Sequence, residues 1–281
     1  MEIINLDSNI YPNKLKKIRN APEKLYLQGN IENIDKKSIA IIGSRDCSLY
    51  GKETAYQFAY ELSKAGFCIV SGMAIGIDKY AHLGALDAGG STIAVLGSGF
   101  NNIYPTENIN LYNRIIQENG TVITEYKPNT KPESHNFPKR NRIVSGLSLA
   151  VLVVEAEYRS GTTITAGFAL KQNKPVFCIP SNINSTKGIG TNKLIQEGAK
   201  MVVGVEDILE QMHTLEQEKS SNIPAEYEEI YSVIEGNTIT LNEICKKLNR
   251  KPNEVSSILT FMEIEGYIEQ ISGQNFKVKE R

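Results

Sequence analysis

The sequence predicts an α/β protein: a Rossmann-like, doubly wound and mostly parallel sheet, followed by a small C-terminal winged-helix-like domain. Three observations predict it. Short β-branched apolar runs recur between residues 38 and 212. Amphipathic stretches of helical length separate most of them. After a polar break at 213–224 the pattern changes to three helices and a hairpin. Runs that are apolar at nearly every position suit strands buried on both faces, and alternating strand and helix implies parallel strands joined by right-handed crossovers.

Residues 1–37 are a lead-in containing Tyr11-Pro12 and Ala21-Pro22, too short for a core of its own and expected to pack on the Rossmann-like domain. Strands are expected at 39–42, 68–70, 92–96, 121–124, 150–154 and 176–179, with a weaker seventh at 201–203. Helices are expected at 50–65, 75–88 and 163–171. Residues 38–212 therefore read as one Rossmann-like domain, 213–224 as a linker and 225–281 as the second domain. In that tail a helix is expected at 226–234. Thr240-Leu241-Asn242-Glu243 is a capping box that opens a second helix, to Leu248. Pro252 suits the first turn of a third, to about residue 265. Residues 266–278 alternate apolar and polar around Ser272-Gly273 as a hairpin does.

The formal charge of −1 hides an asymmetry. Residues 213–281 carry eight Lys or Arg against twelve Glu, a net −4, leaving 23 positive and 20 negative charges in residues 1–212. Neither part is a polycation, so nucleic-acid binding has to come from a local pocket. Cys47, Cys68, Cys178 and Cys245 form no CxxC pair and read as buried hydrophobes in a reducing compartment. His82, His135 and His213 have no metal-ligand spacing, and no metal or cofactor is expected. No signal peptide or run of membrane length is visible, so a cytoplasmic protein is expected.

The densest chemistry is Ser134-His135-Asn136-Phe137-Pro138-Lys139-Arg140-Asn141-Arg142, in which cations, amides and one aromatic ring occupy nine residues. Such a cluster can hold a phosphate chain and stack a base; a solvated charged loop is the plainer alternative. Glycine-rich turns follow the apolar runs. Gly43-Ser44-Arg45 offers amides, a hydroxyl and a guanidinium to a phosphate. Ser71-Gly72-Met73-Ala74-Ile75-Gly76-Ile77-Asp78 opens a helix with free amides, although it is not G-x-G-x-x-G. Ser160-Gly161-Thr162-Thr163 is a hydroxyl-rich helix start, which capping alone also explains. Gly97-Ser98-Gly99 and Gly188-Ile189-Gly190-Thr191-Asn192 repeat the theme. At the carboxyl ends of parallel strands all five turns share one sheet edge, and together with the basic cluster they predict a phosphate-binding crevice. No P-loop, nucleophile elbow or metal constellation is present. Asp78 and His82 could form a polar pair one helical turn apart. The crevice reads as built to hold and not to cut.

These runs resemble the DNA-processing protein A (DprA/Smf) family from about Tyr11 to Val203, most specifically in Phe137-Pro138-Lys139-Arg140-Asn141-Arg142-Ile143 and in the segment from Ser71 to Asp78. The resemblance implies a non-catalytic protein that binds incoming single-stranded DNA, protects it and loads the RecA recombinase onto it in natural transformation, as a homodimer. It implies a DNA pocket lined by Gly43, Ser44, Arg45, Phe137, Arg140, Asn141 and Arg142, with Lys139 at a variable position. Ser71, Gly72, Gly161, Thr162, Thr163 and Asn192 would add amides and hydroxyls. Longer members have an N-terminal helical domain; only about ten residues precede Tyr11-Pro12 here, so none is expected. The acidic tail, with Glu254, Glu263 and Glu265, points to protein contact in place of DNA reading.

Two alternatives compete. A phosphoribohydrolase of the related Rossmann-like group would need a Glu after the paired Thr, and Arg159-Ser160-Gly161-Thr162-Thr163-Ile164-Thr165 has none. A nucleotide-binding sensor would pair the pocket with a basic recognition helix, which Glu254, Ser256, Ser257 and Glu263 do not make.

Overall fold

The structure, a computed structural model, describes residues 1–158, 160–221, 223–271 and 275–278, with the backbone alone at 216–221. It divides into two units, Met1–Ile208 and Leu209–Arg281.

The first unit opens with β1 (Glu2–Asn5), a single helical turn α1 (Asn13–Lys16) and β2 (Lys24–Gly29). Regular alternation succeeds them: β3 (Ser38–Ile42), α2 (Leu49–Lys64), β4 (Cys68–Ser71), α3 (Ile77–Asp87) and β5 (Thr92–Val95). It continues through α4 (Ile109–Gln117), β6 (Thr121–Thr124), α5 (Asn136–Leu147) and β7 (Ala150–Val153). It closes with α6 (Gly161–Lys171), β8 (Val176–Cys178), α7 (Ile189–Gln196), β9 (Lys200–Met201) and the start of α8 (Val205–Ser221).

The strands form one nine-stranded sheet in the order β1-β2-β6-β5-β4-β3-β7-β8-β9. The seven from β6 to β9 are mutually parallel, as the apolar runs predict. Two more strands come from the lead-in: β2 pairs antiparallel with β6, and β1 antiparallel with β2. Their pairing needs no crossover helix, so the strand–helix alternation does not announce them. Both faces of the sheet are buried. On β5, Ile93 and Val95 join one core with Ile143 and Leu147 of α5, while Ala94, with Leu96 just beyond the strand, joins the other with Leu111 and Ile115 of α4. Chain order runs outward from β3 through β4 and β5 to β6, then resumes on the other side of β3 with β7. The gap between β3 and β7 is therefore the topological switch point, where doubly wound sheets hold ligands.

The second unit has α9 (Ala225–Ile234), β10 (Ile239–Thr240), α10 (Leu241–Leu248), α11 (Pro252–Ile264), β11 (Ile268–Ile271) and β12 (Asn275–Val278). The strands form a three-stranded sheet ordered β10-β12-β11. The capping box is formed: the Glu243 amide donates to Thr240 Oγ1, and Glu243 Oε2 accepts from the Thr240 amide at 2.9 Å. Pro252 stands in the first turn of α11. Ile230, Ile244, Val255, Leu259, Met262 and Ile268 make a core of the unit's own. The polar stretch from 213, expected as a linker, is helical as far as Ser221. The expected hairpin turn at Ser272-Gly273 lies outside the described residues. No helix among the described residues is long and apolar enough to cross a membrane.

Candidate nucleic-acid interface

A cleft of about 720 Å³ opens at the carboxyl edge of the parallel strands, above the switch point. The turns after β3, β4 and β7 reach it: Gly43, Ser44 and Arg45 from the first, Gly72 and Ala74 from the second, Ser160, Gly161 and Thr162 from the third.

The basic cluster forms the first turns of α5, and the helix sorts its side chains by face. Phe137, Arg140, Asn141 and Val144 recur at helical spacing, and all four line the cleft. Lys139 and Arg142 fall on another face and meet Glu125. Arg142 is buried and grips that carboxylate with both terminal nitrogens at 2.8 Å, while its Nε donates to the Asn20 carbonyl at 3.0 Å. Lys139 Nζ stands 3.4 Å from Glu125 Oε2 and over the Tyr126 ring.

Arg140 faces the cleft yet is only 4% exposed. Its Nη1 donates to the carbonyls of Gly72 and Val95, so it braces the turns after β4 and β5. Burial pulls its pKa down to about 10, with the Asp78 carboxylate pulling the other way. Asp78 accepts from the amides of Gly72 and Ala74 at 3.1 and 3.3 Å; burial raises its pKa, and Arg140 opposes the rise. Gly72 is required between them: a Cβ there would lie 2.7 Å from both Arg140 Nη2 and Asp78 Oδ2. Asp78 and His82 are not paired to each other, because His82 Nδ1 sits 2.7 Å from Thr92 Oγ1 beneath the helix.

The exposed cation of the cleft is Arg45. Its Cζ stands 5.4 Å from the centre of the half-buried Phe137 ring. On the same ring, Tyr104 packs at 5.4 Å with a 44° tilt and is 45% exposed. Phe137 lies against Gly97, where a Cβ would come within 2.7 Å of the ring, so the turn after β5 supplies the ledge's floor. The turn carrying Arg45 is held from behind. The Ser44 amide donates to the Glu155 carbonyl at 2.8 Å, and buried Glu155, just after β7, accepts from the amide and hydroxyl of Ser48 at the head of α2.

Other expected site residues serve the framework. The Ser71 hydroxyl donates to the Ile41 carbonyl at 2.7 Å inside the sheet. Thr163 Oγ1 donates back to the Ser160 carbonyl, as a helix-start threonine does. Asn192 bonds both ways with the backbone of Ser181, and among the described residues none of the turn after β8 lines the cleft. Arg159 lies outside the described residues. Among the contributors outside the sequence motifs are Tyr104, and Asn108, whose side-chain amide donates to the carbonyls of Met73 and Ala74 and fixes that turn. The Tyr104-Pro105 pair beyond the third glycine turn is the signal that could have found the first.

A guanidinium and two rings on one side, with the N-terminus of α6 and its hydroxyls on the other, can bind an anion and stack planar groups. No cluster of His, Cys, Asp or Glu that could hold a metal occurs among the described residues.

The sequence model for DNA recombination-mediator protein A matches residues 2–213. Protein Smf of Escherichia coli is 32% identical over 96% of this chain and 76% of its own length. DNA processing protein DprA of Bacillus subtilis is 40% identical over 74% of this chain and 70% of its own. The crystal structure of DprA from Streptococcus pneumoniae superposes with a TM-score of 0.71 at 38% identity, covering 74% of this chain and 73% of that one. DNA processing protein A of Helicobacter pylori, whose structure was described for its single-stranded DNA binding mode, superposes with a TM-score of 0.68 at 32% identity over 76% of this chain and 96% of that one.

Proposed function

This chain belongs to the DNA recombination-mediator protein A family, and from that premise we propose that its cleft holds single-stranded DNA. In this reading the protein protects incoming strands and passes them to the RecA recombinase in transformation and homologous recombination. It works in the cytoplasm as a homodimer and performs no chemistry on its ligand.

The observation that carries the reading is the ledge of Arg45, Phe137 and Tyr104. An exposed guanidinium supplies the phosphate contact, and two adjacent rings offer π-faces to unpaired bases, which a duplex keeps stacked inside. The holding role is supported by the state of the titratable groups nearby. Asp78 and Arg140 are both buried and bonded to backbone, which leaves neither placed as a proton donor or acceptor for a ligand. The single-stranded DNA binding described for the Helicobacter pylori relative supports the choice of ligand.

The test is fluorescence anisotropy with labelled oligo-dT and with the matching duplex at low and moderate salt. The expected result is salt-sensitive binding that prefers the single strand and is weakened in Arg45→Ala, with the thermal midpoint unchanged. Equal affinity of wild type and Arg45→Ala would overturn the reading. Arg140→Ala is the wrong probe, because it removes a brace of the fold.

A further inference from the structure

We propose that the basic segment at 14–24 is a second contact surface for the same single strand, taking phosphates beyond the cleft; the inference rests on the cleft reading above. Residues 13–24 carry five cations, Lys14, Lys16, Lys17, Arg19 and Lys24, against the single carboxylate of Glu23. Packing takes up the apolar residues of this segment and Lys14, whose Nζ donates to the Lys36 carbonyl at 2.6 Å. Leu15 and Ile18 are buried, and both lie against Gly146 of α5, where a Cβ would come within 2.7 Å of Leu15 Cδ1. That anchoring turns Lys16, Lys17 and Arg19 outward, and all three are exposed, as is Lys24. A solvated face normally mixes both signs; this one is nearly pure, which suits a polyanion.

The segment is continuous with the cleft along α5. Phe137 and Arg140 face the cleft at the start of that helix, and α1 packs on its end, at Gly146. The two points are nine residues apart, about 14 Å at the helical rise. Between them stand exposed Lys139 and the bond from Arg142 Nε to the Asn20 carbonyl, 3.0 Å, which ties the basic segment to the middle of α5. A strand stacked on Phe137 and leaving along α5 meets Lys139 first, then Arg19 and Lys16. The ligand chemistry is the same phosphodiester chain, held here by point charges without rings, so this surface adds affinity and no base preference.

Oligonucleotide length separates the two surfaces. Full-length protein is titrated against labelled oligo-dT of about six and about thirty nucleotides, bracketing the usual site sizes of single-strand binders. Lys16→Glu/Arg19→Glu should leave the short oligonucleotide's affinity unchanged and weaken the long one by about tenfold, with a log K against log salt slope shallower by about 1.4 for two lost phosphate contacts. Lys16→Gln/Arg19→Gln should lie between, with the thermal midpoint of the wild type. Wild-type affinity of the charge-reversed protein for the long oligonucleotide overturns the proposal and leaves the surface to an acidic protein. Equal losses at both lengths also overturn it. A wild type that fails to hold the short oligonucleotide, with Arg45→Ala indifferent, overturns the cleft reading instead.

Discussion

The cleft of the first unit and helix α11 of the second present opposite surfaces. The cleft sets an exposed cation on an aromatic ring. The outward face of α11 carries Ser256, Ser257, Thr260, Phe261 and Ile264 beside Glu254 and Glu263, with no Lys or Arg between Pro252 and Ile264. Its hydroxyls are turned inward: Ser257 and Thr260 donate to the carbonyls one turn back, both at 2.9 Å. Arg250, beside the helix, is drawn to Glu229 and Glu254. The order of helices in the tail is thus no evidence of DNA reading; the side chains on the outward face of α11 decide.

The contrast extends to the interiors. The first unit buries His82, Asp78, Arg140, Arg142 and Glu155, whereas among the described residues the second buries no polar or charged side chain. Breaking the buried set should have the largest effect. Arg140→Ala strands Asp78 and two carbonyls, and should lower the stability of the first unit by about 3–5 kcal/mol, read by chemical denaturation, while the second unit's own transition stays in place.

Acid should separate the units next. Burial, with Arg140 adding to it, pushes the His82 pKa down to about 3. An unfolded histidine takes its proton near 6.5, so between those values the unfolded state binds more protons. The stability His82 confers is therefore complete above about pH 6.5 and falls by up to about 1.4 kcal/mol per unit as pH drops toward 3. Hydrogen exchange monitored against pH should show the first unit opening ahead of the second; simultaneous opening would contradict the contrast.

Binding effects come below these. Arg45→Ala should weaken oligo-dT binding by about 10- to 100-fold, the worth of about 1.5–3 kcal/mol for a charged contact. Phe137→Leu, which keeps bulk over Gly97 and removes the π-face, should cost about tenfold, toward the lower end of the range for one stacked base. Smallest of all, Phe261→Ser with Ile264→Ser on α11 should leave oligo-dT affinity within about twofold, as surface changes away from a site do. A larger loss there would place part of the DNA interface on the second unit.

The parallel strands were legible because burial on both faces leaves each apolar throughout, and the capping box and Pro252 marked helix starts in the tail. β1 and β2 were not legible, because they join the sheet antiparallel and lie outside the alternating pattern. The glycine turns located the cleft, since strand direction alone puts those after β3, β4, β5 and β7 on one edge. The division of labour inside the basic cluster was not legible by composition. Helical phase decides it: residues 137, 140, 141 and 144 point one way, 139 and 142 another. Nor does phase foretell that Arg140 is buried; that depends on Gly72 and Val95, whose carbonyls lie far away in sequence.

The bonds from Ser48 to Glu155 join residues 107 positions apart, across the β3–β7 boundary. On the ribosome, at about 5–20 residues per second, the turn that presents Arg45 waits roughly 5–20 s for the carboxylate that steadies it. Through that interval the β7-facing side of β3 is an open edge of unpaired backbone groups on a strand with apolar side chains at 39–42, the kind that mispairs. The cleft is consequently among the last parts of this domain to mature, and conditions that slow synthesis between these two points should expose the nascent chain to aggregation before they affect any contact within the finished protein.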